Sequence, residues 1–303
     1  MTRENKNLRN CFIGKGQIRC IHLNIYIPMH YFFSICVSAL LSPNMKKIEL
    51  ESVAVIDMIA LPEYGILIAD YNKRIIILDN DNLSVKKGEL SLEDKPYGLT
   101  TMDDHTVAAS VGHSCILVVD MHTKVITQTI DVATDIKGTV WGLAYLDGDF
   151  FLAATDKIVR INQNSSDYEN IYSSTNGWIF YLQIHDRKLF FTNYKSKSFL
   201  CATLSGDVLF EYQTDKLKGP YGFTRFNCDS FYVADWTTNR IHKIEDTGTN
   251  GEILLTKSDG IFKPRVILYE DKHKSLLIAC NGGKLLVQTK RRSSITRERV
   301  LKS

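Results

Sequence analysis

Short runs of β-branched and aromatic residues, each followed by a polar loop, recur along the chain between residues 53 and 288. The clearest copies, Gly65 to Ile77 and Tyr232 to Ile244, share one pattern: an apolar run ends in Ala-Asp, a polar loop follows, and a second apolar run begins with Arg. The small residue before the loop recurs at intervals of 40, 45, 38, 42 and 45 residues, as Ala69, Ala109, Ala154, Thr192, Ala234 and Ala279. A unit of this size with several short strands cannot bury its own faces, so the copies must pack against one another. The pattern therefore predicts an all-β fold, a six-bladed β-propeller.

Each unit is predicted to begin with an inner strand after a turn containing Pro, Trp or Gly, because Pro fixes φ and Gly permits close approach of another backbone. β-rich runs predict the second strands at 66–69, 106–109, 150–154, 188–192, 230–234 and 275–279. The third strands are predicted at 74–78, 115–120, 157–161, 199–204, 240–244 and 284–288. Weaker runs predict fourth strands in units one to five, at 84–90, 125–130, 169–172, 208–213 and 252–256. Unit six lacks a fourth strand, and the alternating segment Lys46 to Ser52 is predicted to supply it and so to close the ring without an open edge.

The repeats divide the chain into a leader at 1–45, a propeller at 46–290 and a basic tail at 291–303 that is expected to be mobile. Within the leader, Ile21 to Leu41 is mostly apolar and follows several basic residues, an arrangement typical of a secretory signal or signal anchor. His22, Asn24 and Pro28 interrupt this segment, which disfavours a membrane span. Two interpretations of the leader stay open: a targeting or anchoring segment, or a disordered leader with no fold of its own.

Charge and cysteine content place few limits on function. The formal net charge of +3 gives a field too weak to identify a partner. The seven cysteines form no Cys-x-x-Cys pair and have no nearby His at zinc-ligand spacing, so neither a disulfide framework nor a zinc site is indicated. Cysteines within the repeats are expected to act as small buried hydrophobes, namely Cys115, Cys201, Cys228 and Cys280. Free thiols favour a reducing compartment, and a cytoplasmic location is expected.

Three elements of the repeat carry a resemblance to a known family: the Pro-Tyr-Gly openings at 96–98 and 220–222, the Val-Ala-Asp ending at 233–235, and Asn-Arg-Ile at 239–241. Residues 46–290 resemble the six-bladed NHL propeller at the C-terminus of tripartite-motif (TRIM-NHL) proteins, with clear matches in units one, two and five and degenerate ones in three, four and six. In that family, RING and B-box zinc modules and a coiled coil precede the propeller and supply ubiquitin-ligase activity. No Cys/His array of that kind precedes Lys46, so the resemblance implies only the partner-recognition half of such a ligase. Asp70 and Asp235, at the ends of their second strands, are expected to accept backbone N–H groups as structural Asx turns.

Residue types that carry catalysis do not form a pattern. A metal-dependent hydrolase of the calcium-dependent lactonase (SMP-30) type would need several oxygen ligands on the inner strands. Those positions instead hold Tyr97, Trp141, Tyr181, Tyr221 and Arg265. Asp57 lies alone on an opening strand and is expected to be hydrogen-bonded scaffold. The eight histidines share no register, and there is no Gly-x-Ser-x-Gly elbow or glycine-rich phosphate loop. No enzymatic activity, metal, cofactor or small-molecule substrate is therefore expected, and the hydrolase is kept as a minor alternative.

One side of the predicted propeller combines aromatic and basic residues. Loops after the second strands and loops that lead into the inner strands emerge on this side, and they contain all three tryptophans of the chain. The candidate binding residues are Tyr71, Lys73, Arg74, Tyr97, Trp141, Trp178, Tyr194, Lys195, Tyr221, Trp236, Arg240 and Arg265. Phe180, Lys95 and Lys263 belong to the same wider set. Some of these rings, Tyr97, Trp141 and Tyr221 among them, can equally serve to cap the hydrophobic centre of the propeller.

Two hypotheses for function follow. The first is a non-catalytic module that binds a protein partner through the aromatic and basic side, because exposed aromatics and Arg are typical of interface hot spots. The second is a single-stranded RNA-binding propeller in post-transcriptional regulation, because aromatic rings stack on bases and cations neutralise phosphates. Membrane association is left open by the apolar segment at 21–41.

Overall fold

The computed structural model describes residues 45–289, except 113–114, 133–135, 137–138 and 166, together with the backbone of three short strands near the N-terminus. Contacts divide the chain into two units, one of which is Met45–Gln288. The other contains the antiparallel strands Cys11–Gly14 (β1), Gln17–Cys20 (β2) and Tyr26–Pro28 (β3), paired in the order β1-β2-β3.

The other terminal predictions lie largely outside the described residues, including the tail at 291–303 and most of the apolar segment at 21–41. Among the described residues, no helix has the length and apolar character needed to cross a membrane.

Residues 45–289 form an all-β, six-bladed propeller, as the repeats predicted. Each blade is a four-stranded antiparallel sheet, numbered here from 1 to 6 along the chain. The inner strands of the six blades are Val55–Leu61 (β5), Pro96–Thr101 (β9), Val140–Leu146 (β13), Ile179–His185 (β17), Pro220–Phe226 (β21) and Pro264–Glu270 (β25). The second strands are Gly65–Asp70 (β6), Thr106–Val111 (β10), Asp149–Ala154 (β14), Lys188–Asn193 (β18), Ser230–Asp235 (β22) and Ser275–Cys280 (β26).

The third and outer strands complete each sheet. The third strands are Arg74–Leu78 (β7), Cys115–Asp120 (β11), Lys157–Asn162 (β15), Ser198–Thr203 (β19), Arg240–Glu245 (β23) and Lys284–Thr289 (β27). The outer strands are Lys86–Ser91 (β8), Val125–Asp131 (β12), Tyr168–Ser173 (β16), Val208–Gln213 (β20), Gly251–Leu255 (β24) and, in blade 6, Met45–Glu49 (β4). A 3-10 turn at Lys257–Asp259 leads towards blade 6.

The ring is closed by the first strand of the propeller. β4 pairs antiparallel with β27, with Ile48 opposite Leu285, so blade 6 combines both ends of the repeat region. Ile48 is buried in the same apolar cluster as Leu285. The inner strands contact one another around the ring, and β25 contacts β5. The predicted closure is therefore confirmed: β4 pairs with the edge of β27 that would otherwise be open and gives blade 6 four strands, as in the other blades.

Glycines of the unit openings allow neighbouring inner strands to approach closely. A Cβ atom at Gly98 would lie 2.7 Å from the carbonyl oxygen of Trp141 in the next blade. A Cβ at Gly142 would lie 2.8 Å from the Leu182 nitrogen, and one at Gly222 would lie 2.6 Å from the Arg265 oxygen. Contacts this short exclude any side chain, which explains why glycine occupies these positions.

Apolar clusters fill the spaces between successive blades. The second strands lie between the inner and third strands of their own sheet and are covered on both faces, so every residue of β6, β22 and β26 is buried. The small residues that define the repeat are completely buried, as expected for a crowded position: Ala69, Ala109, Ala154, Thr192, Ala234 and Ala279. Cys201 and Cys280 are buried free thiols, as predicted, whereas Cys228 is exposed because it lies in the turn between β21 and β22.

The Asx-turn prediction is confirmed at both aspartates. Asp235 is buried and accepts hydrogen bonds from the backbone nitrogens of Lys218, Gly219, Thr237 and Thr238, at 2.8, 3.1, 3.0 and 3.0 Å. Asp70 accepts from the nitrogens of Ala54 and Asn72 at 2.8 and 3.2 Å. Each carboxylate thus joins the loop after the second strand to the segment that leads into the inner strand of its blade.

Candidate functional site

The loops after the second strands and the segments leading into the inner strands lie on one side of the propeller, which we call the loop face. Backbone hydrogen bonds join the two segments within a blade: Tyr71 donates to Ala54, Tyr194 to Trp178 and Trp236 to Gly219, at 3.0, 2.9 and 2.9 Å. The repeat therefore brings aromatic side chains of both kinds of segment to the same side of the propeller.

Eight aromatic rings from blades 1 to 5 form a continuous chain of contacts on the loop face. We call this chain the aromatic arc; it consists of Tyr71, Tyr97, Trp141, Trp178, Phe180, Tyr194, Tyr221 and Trp236. Its first contacts join Tyr71 to Tyr97 and Tyr97 to Trp141, with ring centroids 6.5 and 5.1 Å apart and edge-to-face geometry. Trp141 contacts Phe180 at 5.1 Å. The arc therefore crosses three blade boundaries through rings alone.

The arc continues from Phe180 into blades 4 and 5. Phe180 stacks on Tyr221 at 4.7 Å and lies 5.5 Å from Tyr194. Tyr194 stacks on Trp178 at 6.2 Å, and Tyr221 contacts Trp236 at 6.1 Å. Offset-stacked and edge-to-face pairs at these distances each contribute about 0.5–1.5 kcal/mol beyond their buried area. Mutual packing therefore holds the rings in fixed positions before any partner binds.

Four cations lie over rings of the arc. Lys95 Nζ is 4.2 Å from the Tyr71 ring centre, and Lys195 Nζ is 4.9 Å from that of Trp178. Lys263 Nζ lies 5.2 Å from Trp236, and the Arg265 guanidinium lies 5.3 Å from Tyr221. Lys95 also donates a 3.0 Å hydrogen bond to the Tyr71 hydroxyl, which raises the pKa of Lys95 above its ordinary value. Each cation is thus placed on the arc by an attractive cation–π contact.

Burial varies along the arc. Tyr97 is only 9% exposed, whereas Tyr71 and Trp178 are each 41% exposed. The rings nearest the channel cover the hydrophobic centre, as the alternative interpretation of Tyr97 proposed, and the outlying rings are open to solvent. Phe262, which is 45% exposed and lies beside Lys263, extends the exposed apolar surface but was not among the predicted residues. The only signal for it in the sequence is its position before the Lys-Pro-Arg opening of unit six.

Three of the predicted binding residues neither belong to the arc nor lie over its rings. Arg74 donates a 2.6 Å bond from Nε to the buried carboxylate of Asp70, so it stabilises the turn of blade 1. Lys73 donates from Nζ to the backbone oxygen of Glu93 at 2.9 Å. Arg240 is half-buried, pairs with Asp235 in the strand register and has no ion-pair partner among the described residues. Of the twelve predicted residues, the structure brings nine together: seven rings, Lys195 and Arg265.

Below the arc, inner strands of three blades meet at one carboxyl group in the central channel. Asp57 is buried and accepts from the Met58 and Leu99 nitrogens, each at 2.7 Å. The Tyr181 hydroxyl of blade 4, across the ring from blade 1, donates to the same carboxyl group. Burial raises the pKa of Asp57 to about 7, although these three hydrogen bonds oppose the rise. Asp57 therefore acts as the hydrogen-bonded scaffold expected of it.

No group of three or more His, Cys, Asp or Glu side chains converges into a metal site within the part of the chain that the structure describes. The arc itself offers rings, hydroxyl groups and cations. This combination suits binding of anionic and aromatic groups.

Comparison with known proteins shows the fold. No protein-family model and no curated protein matches the chain. A structural genomics protein of unknown function from Bacteroides thetaiotaomicron superposes with a TM-score of 0.66 at 14% identity, over 80% of this chain and 72% of that chain. A catalytically inactive virginiamycin B lyase from Staphylococcus aureus with quinupristin gives 0.62 at 17% identity, over 83% and 90%. A streptogramin B lyase gives 0.61 at 13% identity, over 81% and 97%. Two of these neighbours are enzymes, so the non-catalytic role and the NHL assignment stay predictions.

Proposed function

We propose that the chain is a partner-binding propeller whose loop face receives a segment of another protein, in the manner that the NHL resemblance implies. The aromatic arc supports this proposal because its rings are held in place by one another and are partly exposed at Tyr71 and Trp178. A preorganised aromatic surface loses little conformational entropy on binding. The bound segment is expected to be acidic and to carry aromatic or other apolar side chains, which would match the cations and the exposed rings.

The positions of the cations favour a protein partner over single-stranded RNA. RNA bases bind by stacking on open ring faces. Four rings of the arc already have a cation over one face, from Lys95, Lys195, Lys263 and Arg265. A base would have to displace those cations, whereas an acidic side chain could pair with them where they lie. The arc therefore does not favour RNA binding. The test includes RNA so that such binding would be detected.

The lyase neighbours suggest no catalytic residues in this chain, because identities of 13–17% show the fold alone. No substrate or reaction of these lyases is therefore assigned to this chain.

The test compares capture of partners from a lysate by the wild-type protein and by matched variants. The double variant Trp178→Ala/Lys195→Glu removes one exposed ring and reverses the charge over it. Leu209→Ala, at a residue 50% exposed on the outer strand β20, is the control. Proteins recovered with wild type and control should bind the double variant about thirtyfold more weakly, the effect of losing a hot spot worth about 2 kcal/mol.

Equal recovery by the double variant, with its folding intact, would show that the loop face does not bind the partner. A random RNA pool serves as the second arm at about 0.15 M salt. Tight RNA binding that weakens steeply with salt and is lost in the double variant would replace the protein-partner proposal with the RNA one.

A further inference from the structure

The central channel contains a cavity of about 280 Å³. Its lining comes from the middle and C-terminal parts of the inner strands β5, β9, β13, β17 and β25. The arc residues of the inner strands, such as Tyr97 and Tyr221, lie at the opposite ends of their strands. The cavity is therefore a different site from the loop face, and neither the repeat pattern nor the proposed function accounts for it.

Asp57 supplies the cavity with a carboxyl group whose hydrogen-bonding capacity is incompletely used. Three donors reach it: the Met58 nitrogen, the Leu99 nitrogen and the Tyr181 hydroxyl. The two oxygens of a carboxylate can accept about four hydrogen bonds. One acceptor position therefore remains for a further donor, and Asp57 is part of the cavity lining.

The other polar groups of the lining do not provide a cation to neutralise Asp57. Gln183 donates to the Phe223 backbone oxygen at 3.1 Å and lies 2.9 Å from His185 Nε2 through its own oxygen. Burial lowers the pKa of His185 to about 4, with the nearby Arg225 adding to the effect, so this imidazole is neutral near pH 7. Tyr145 donates to Gln163 at 3.0 Å. Among the residues that line the cavity, the only group able to carry charge near neutral pH is the carboxyl of Asp57.

The rest of the lining combines polar and apolar residues. Met58, Leu143 and Leu182 are buried residues of three inner strands and line the cavity. The volume accommodates a small molecule of roughly ten non-hydrogen atoms, taking about 30 Å³ per atom-sized unit. Thr100, Thr101 and Gln183 are polar members of the same lining. A concave site that combines apolar surface with a few well-placed polar groups is the usual form of a small-ligand site.

We propose that this channel cavity binds a small organic cation, a primary amine, whose ammonium group pairs with Asp57. An ammonium group supplies the missing donor and neutralises the one carboxylate of the cavity. Anionic ligands are excluded, because they would lie beside a carboxylate with no cation in the lining to balance them.

The test uses 2-phenylethylamine as the cationic probe and 2-phenylethanol as a neutral probe of the same size, with binding to the full chain measured by isothermal titration calorimetry. The amine should bind about tenfold or more tightly than the alcohol, the effect of one hydrogen bond to a charged group. Asp57→Asn should abolish that preference. Asp215→Asn, at an exposed carboxyl group, is the matched control and should bind the amine as the wild type does.

A second variant keeps the test decisive if Asp57→Asn does not fold. Thr100→Phe places a larger side chain in the cavity from the half-buried edge of β9, and it should abolish binding of the amine. The proposal would be overturned if the wild type bound both probes equally or did not detectably bind the amine. It would also be overturned if a folded Asp57→Asn or Thr100→Phe protein bound the amine as the wild type does.

Discussion

Replacement of Asp57 by Asn should remove a pH-dependent part of the stability of the propeller. Burial raises the pKa of Asp57 from 3.8 to about 7 in the folded protein, against the opposing effect of its bonds with Tyr181, Leu99 and Met58. At pH values between these two pKa values, Asp57 is therefore protonated in the folded state and ionised in the unfolded state. The bound proton contributes fully to stability below the pKa that Asp57 has in the unfolded state. The contribution is lost as the pH rises through the pKa that Asp57 has in the folded state. At about 1.4 kcal/mol per pH unit over about three units, the loss is about 4 kcal/mol.

The assay is urea denaturation of the wild-type and Asp57→Asn proteins at several pH values. The free energy of unfolding of the wild type, relative to the variant, should fall by about 2 kcal/mol between about pH 5 and about pH 7 and level off above about pH 8. Other titrating groups are common to both proteins and cancel in this difference. Asp215→Asn provides a control at an exposed carboxyl group. A difference that stays constant from about pH 5 to about pH 8, or that grows with pH, would refute the argument from burial.

Three further substitutions test the packing of the blades. Gly98→Ala should lower the free energy of unfolding by about 2 kcal/mol in urea denaturation, because the new Cβ would lie 2.7 Å from the Trp141 oxygen. Arg74→Ala should cost about 3 kcal/mol in the same assay, since it leaves the buried Asp70 carboxylate without its cation. Ile48→Asp should cost about 4 kcal/mol or more, because it buries a charge where β4 closes the ring, and hydrogen exchange should show β27 losing protection.

Each of these substitutions has a matched control. Gly88→Ala meets mainly the flexible tip of Lys124 and should change stability by less than about 0.5 kcal/mol. Arg160→Ala breaks only surface pairs, with Glu169 and Asp149, and should cost less than about 1 kcal/mol. Lys46→Asp lies on an exposed position of β4 and should leave closure intact. Equal effects in variant and control would contradict the proposed packing in each case.

The blade strands could be predicted from the sequence because their signal is local. Alternating apolar residues and turn residues identify each strand within a few positions, and β7, β11 and β20 begin and end at the predicted residues. Ring closure was predictable as well, because unit six lacked an outer strand and an alternating segment was available before unit one. The small repeat residues also indicated their crowded positions correctly.

Contacts across the ring could not be predicted in the same way. The hydrogen bond between Tyr181 and Asp57 joins residues 124 positions apart, and it depends on the diameter of the ring, which the repeat pattern does not specify. Arg74 was chosen as a surface cation, but the buried Asp70 four residues earlier holds it in the turn. The burial of Tyr97 under its neighbours likewise depends on how far each inner strand projects into the channel.

The most direct test of the loop-face proposal is the intrinsic fluorescence of the protein, because all three tryptophans belong to the aromatic arc. A fluorescently labelled partner segment, obtained from the capture experiment, is titrated while its anisotropy and the tryptophan emission are recorded together. The account predicts that both signals change with the same dissociation constant and that both changes are lost in Trp178→Ala/Lys195→Glu. Binding detected by anisotropy with unchanged tryptophan emission would contradict it, since the partner would then bind away from the arc.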